Sequence, residues 1–140
     1  MYGIEAWTTM QLTPQLRLAL GGTVTEKDLR FRSGTRDTRG VNNETLHNDP
    51  DYQIKLRASY ELSDSMQLDL QLRRIAPLEV QPVPGYTGLD LWWAWYPVDN
   101  VELSLTGRNL LDKRHPEFGG TAFRGEFSRS VALGLRWSLQ

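Results

Sequence analysis

Between Tyr52 and Arg73 the chain follows a period of two with hardly a break. Tyr52, Ile54, Leu56, Ala58 and Tyr60 alternate with Gln53, Lys55, Arg57, Ser59 and Glu61, and then Met66, Leu68, Leu70 and Leu72 alternate with Gln67, Asp69, Gln71 and Arg73. Successive side chains of a strand point to opposite faces, so each run places apolar groups on one side and polar groups on the other. A helix would scatter both sets around its axis. Ser63, Asp64 and Ser65 supply turn residues between the two runs, and the pair predicts a hairpin.

The same design recurs on both sides. Gly3 to Gln11 and Leu16 to Thr25 meet at Thr13-Pro14, and Leu89 to Tyr96 and Val101 to Thr106 meet at Pro97-Val98-Asp99-Asn100. A last run, Ser130 to Leu139, carries Val131, Leu133, Leu135, Trp137 and Leu139 on one face. Seven strands are therefore expected, with tight turns near 13, 64 and 98 alternating with longer segments near 28 to 50, 75 to 86 and 110 to 128. In an up-and-down sheet, alternation of this kind collects the short turns at one end and the long loops at the other. No segment of helical period competes.

Composition narrows the function classes. Sixteen basic and seventeen acidic residues leave a formal charge of -1, which gives no global footprint for nucleic acid. The densest basic stretch, Lys27 to Arg39, mixes Lys27, Arg30, Arg32, Arg36 and Arg39 with Glu26, Asp28 and Asp37, and reads as a solvated loop. Without cysteine there are no disulfides, thiolate metal ligands or cysteine nucleophile. No apolar run approaches the roughly 20 residues of a spanning helix. Strands that cross a membrane hide their apolar face in every second residue, so this says nothing against a transmembrane barrel.

Alternation alone suits a soluble barrel or sandwich as well. Three features favour the membrane. Runs of about nine to eleven residues match a tilted strand crossing the hydrocarbon layer. The polar face, with Lys55, Arg57, Glu61, Asp69, Arg73, Glu102 and Arg136, suits a wet lumen. Tyr60, Trp95, Tyr96 and Trp137 fall near the short-turn ends of their strands, as in an interfacial belt.

One further segment, Gly107-Arg108-Asn109-Leu110-Leu111-Asp112-Lys113-Arg114-His115-Pro116-Glu117-Phe118-Gly119, reads as a strand entering a loop. Gly107 suggests a bend or close backbone approach, Asn109 and Asp112 are turn formers, and Pro116 removes a ladder donor. The segment resembles the penultimate-strand signature of TonB-dependent outer-membrane receptors. The resemblance extends, in order, through Tyr2 to Trp7, Thr13 to Leu18, Lys27 to Arg30, Gly34 to Asp37, Asn48 to Pro50, Tyr86 to Asp90, Asn100 to Leu105 and Arg129 to Val131.

The resemblance implies an all-β fold: an antiparallel up-and-down transmembrane β-barrel portion, about seven strands of a larger barrel of the 22-stranded, plugged class. It implies that residues 1 to 140 form a C-terminal segment of the barrel with no plug domain, ending on Leu139 and Gln140 where family members usually finish on an aromatic residue. The expected location is the outer membrane of a Gram-negative bacterium. The implied function is part of a receptor for a scarce nutrient such as a ferric siderophore, cobalamin or another metal chelate. Expected partners are outer-membrane lipid, the remaining strands and plug of a parent receptor, a small metal chelate, and TonB only through a part outside these residues; nucleic acid is not expected. Two alternatives stay open: a small stand-alone barrel holding an apolar ligand inside, and copies that pair their open edges.

No cofactor, catalytic residue, metal ligand or ligand-binding residue is assigned from the sequence. His47 and His115 are the only histidines, and both read as solvated loop residues, since two separated imidazoles fall short of a ligand set. Glu44, Asp49 and Asp51 near His47 are ordinary loop composition. No G-x-S-x-G elbow accompanies the serines, and no enzymatic activity is expected. Gly21-Gly22 and Gly119-Gly120 precede no helix and read as strand-end and loop glycines. Trp92 and Arg73 are expected on the luminal side.

Overall fold

The computed structural model describes residues 2–27, 34, 49–78, 83–119 and 124–139. Seven long or medium strands follow the expected runs: β1 (Tyr2–Gln11), β2 (Leu16–Glu26), β3 (Tyr52–Ser63), β4 (Met66–Ile75), β5 (Tyr86–Val98), β6 (Val101–Arg108) and, after two short strands, β9 (Ser130–Trp137). They form one antiparallel sheet in the order β1-β2-β3-β4-β5-β6-β9. The short strands β7 (Arg114–Pro116) and β8 (Glu126–Ser128) pair with each other inside the last long connection. Sequence reading missed them, because three residues are too few for alternation to show.

Register makes the two faces continuous across the sheet. Leu18, Ala58, Leu70 and Leu91 stand in one row, and Leu20, Leu56, Leu72 and Leu89 in the next. The other face aligns Ala19, Arg57, Gln71 and Asp90. A slip of one residue would exchange the faces of a strand, so the register is strongly specified. The apolar face is left in the open: Leu133 is 86% and Ile4 76% exposed, and among the described residues the buried apolar ones are only Ala76, Leu78, Val83 and Ala94.

The apolar face carries aromatic residues towards both ends. Tyr60, Trp95 and Trp137 stand near the short turns, and Tyr2 and Tyr52 near the long loops. Tyr52 and Tyr60 are eight steps of about 3.4 Å apart along β3, which a tilt of about 35–45° reduces to roughly 20 Å across a membrane. That is close to the apolar band of about 25 Å that such barrels present to lipid.

Strands β1 and β9 do not pair with each other, so the sheet is open and the compact closed barrel of the first alternative is not what forms. As first and seventh strands of an antiparallel order, the two edges run in the same direction. Closure by antiparallel pairing therefore requires an odd number of further strands. Copies joined in the same orientation would bring β1 against β9 in parallel, against the pattern of every other pair.

Candidate functional site

Several charges of the polar face sit in cross-strand ion pairs. Arg57 grips Asp69 with both ends of its fork, Nη2 lying 3.1 Å from Oδ2, while the Ser59 hydroxyl donates to Asp69 at 3.2 Å. Arg136 Nη1 lies 3.0 Å from Oε2 of Glu102, its register partner on β6. Arg73 reaches diagonally from β4 to Asp90 on β5. Gly88 stands directly opposite Arg73, and a side chain there would meet the guanidinium carbon at 3.0 Å. Glycine thus lets the guanidinium lie along the sheet. Between these pairs Arg57, Asp69, Asp90, Trp92, Thr106 and Arg108 help to line a hollow of about 220 Å³. Lys55, Arg57, Glu61, Asp69, Arg73, Glu102, Arg136 and Trp92 share this face as expected.

At the long-loop end the pairs converge on the connection from β6 to β9. Asn109 adopts a left-handed φ of 52°, which asparagine tolerates better than most residues. Its backbone N–H donates to Asp90 Oδ1 at 2.8 Å and its side-chain amide donates to the Phe127 carbonyl at 3.0 Å. The Leu110 side chain folds back on Gly107, where a Cβ would meet it at 2.9 Å, the close approach expected of that glycine. One carboxylate, Asp90, therefore holds both Arg73 and the start of the connection.

His115 is the main departure from expectation. It is 5% exposed and stacks on Tyr86, with ring centroids 4.0 Å apart and planes 23° apart. Its Nε2 lies 3.2 Å from Glu117 Oε1 and its Nδ1 3.8 Å from Asp112 Oδ2. Glu117 Oε1 is 3.6 Å from Arg73 Nη2, and the Arg73 guanidinium carbon is 5.9 Å from the Tyr86 ring centre. The β7-β8 pairing folds the connection back over the rim and turns this histidine onto the wall. Phe118 and Phe127 meet edge to face, 6.1 Å apart, and stay substantially exposed beside it.

The remaining expectations divide by place. His47, Glu44, Gly120 and most of Lys27 to Arg39 lie outside the described residues. Asp49 forms an ion pair with Lys27, and the Asp51 carbonyl accepts from the Thr25 N–H at 2.8 Å. Gly21 and Gly22 sit inside β2, opposite Trp7 and Ala6, and are not strand-end residues. Gly119 has a φ of 92°, as a loop glycine would. Among the described residues no group of three or more His, Asp or Glu is placed to hold a metal ion. The arrangement anchors a loop against a charged wall and leaves aromatic groups exposed at its rim.

No family model matches the chain, and no curated protein does. Among solved structures, it is similar to the crystal structure of the siderophore receptor PiuA from Acinetobacter baumannii, with a TM-score of 0.74 at 19% identity. The likeness covers 96% of this chain and 21% of that one. At this identity the two share a fold, and the expected architecture, an antiparallel sheet like a portion of a receptor, is met.

Proposed function

We propose that residues 1 to 140 are a C-terminal segment of the barrel wall of a TonB-dependent receptor in the outer membrane of a Gram-negative bacterium. The observation that carries this reading is the division of one open, seven-stranded sheet into a continuous apolar face and an ion-paired face. The apolar face meets lipid. The paired charges face a wet interior, which tolerates them. Hydrocarbon cannot satisfy the backbone groups of β1 and β9, so the wall is completed by an odd number of strands from a parent receptor. A 22-stranded barrel leaves such a remainder.

In this reading the parent takes up a scarce nutrient, a ferric siderophore, cobalamin or another metal chelate. Its plug fills the lumen and its N-terminal part engages TonB; neither lies in these residues. The present segment contributes wall and rim, with Asp90, Arg73, Tyr86 and His115 fixing one connection. The test is uptake of radiolabelled ferric chelates and cobalamin by cells expressing the intact polypeptide that carries this sequence. Uptake of one of them that requires TonB and disappears when residues 86–119 are deleted is the expected result. Uptake by none of them, with the polypeptide present in the outer membrane, would reject the transport assignment.

A further inference from the structure

Two charged residues stand on the apolar face: Glu26, at the end of β2, where it accepts from the Tyr2 hydroxyl, and Arg74. Arg74 is in register with Ile54 of β3 and Thr87 of β5, with Leu72 the next residue of β4 on that side. The other positions of this face in β3 to β6 carry aliphatic, aromatic, threonine or glycine residues and no charge. Arg74 is exposed, donates from Nη1 to the Thr87 hydroxyl at 3.1 Å and, among the described residues, forms no ion pair. A guanidinium carries five N–H donors in a planar fork, so most of its donors remain open.

Its depth gives this meaning. Arg74 lies one row inside Tyr52, at the long-loop end of the apolar face. The penalty for a cation on a lipid-facing surface falls towards zero near the interface, where headgroup phosphates lie. A fork of parallel donors matches a phosphate better than a point charge does. From Ile54 the same row continues through Gly22 to Ala6, and these residues with Leu20 help to line an apolar hollow of about 320 Å³. A cation at the interface beside an apolar hollow is the pattern of an amphiphile's head and tail.

We propose that Arg74 docks the phosphate of an anionic lipid in the leaflet at the long-loop end, with the acyl chain lying across Leu72, Ile54 and the hollow beside Gly22. This rests on the membrane reading above. The test places the intact polypeptide carrying this sequence in phosphatidylcholine vesicles containing spin-labelled phosphatidic acid or spin-labelled phosphatidylcholine. Electron paramagnetic resonance then measures the motionally restricted fraction of each. Arg74→Gln is expected to lower the preference for phosphatidic acid roughly fivefold, the equivalent of about 1 kcal/mol per surface cation. Restricted phosphatidylcholine stays unchanged, and Arg74→Lys retains part of the preference. Arg17→Gln, on the polar face, has no effect. A preference unaltered by Arg74→Gln, or reduced equally by Arg17→Gln, would overturn the proposal alone. The absence of restricted lipid of either kind would overturn the membrane reading with it.

Discussion

Leu72→Arg lowers the stability of the intact, membrane-inserted polypeptide by about 2–4 kcal/mol, the cost of a cation on the lipid face near the bilayer midplane. Leu72 stands in the middle row of the apolar band, with Leu56 and Leu89 beside it and the rows of Tyr52 and Tyr60 each two rows away. Gln71→Arg, one residue along, changes stability by less than about 1 kcal/mol, because that side chain enters the charged face between Arg57 and Asp90. The two variants have the same added charge and nearly the same sequence position. Urea unfolding in phospholipid vesicles measures the difference. Equal costs at the two positions would mean that both faces see the same surroundings.

Asp90→Ala is expected to cost about 2–3 kcal/mol, somewhat less than the 3–5 kcal/mol typical of breaking a fully buried pair. The carboxylate holds Arg73 and accepts the Asn109 N–H, and its side chain is 28% exposed. Removing it takes the nearer of two carboxylates from a partly buried cation and leaves a backbone donor without its partner. Asp90→Asn keeps an acceptor for Asn109 and is expected to cost about half as much. Hydrogen exchange at the amides of Asn109 and Leu110 provides a local readout. Faster exchange there, with protection of β2 and β3 unchanged, is expected; unchanged exchange at both amides would show that Asp90 does not anchor the connection.

The strands were legible because their signal repeats. The two faces of β3 and β4 could be assigned residue by residue, and the aligned rows that join them to β2 and β5 follow from the same alternation. Gly107 was legible as a close approach, since a strand position without a side chain has few other uses. His115 was not. Its burial depends on pairing between two three-residue strands and on Tyr86, 29 positions earlier, and neither pattern is periodic enough to read. Asn109 suggested a turn, but its link to Asp90 arises only when β5 and β6 lie side by side. Arg74 was hidden differently: the alternating run reads as ending at Arg73, and only the extension of β4 to Ile75 puts the next cation on the apolar face.

Because the chain contains no cysteine, single cysteines can report on each face without background. A scan from Gln67 to Leu72, each position labelled with an environment-sensitive fluorophore in the membrane-inserted polypeptide and probed with a lipid-borne quencher, measures the orientation of β4 directly. Lipid on the apolar face predicts blue-shifted, strongly quenched labels at Leu68, Leu70 and Leu72, and weakly quenched ones at Gln67, Asp69 and Gln71. Quenching without a period of two, or strongest at the polar positions, would contradict a lipid-facing apolar wall.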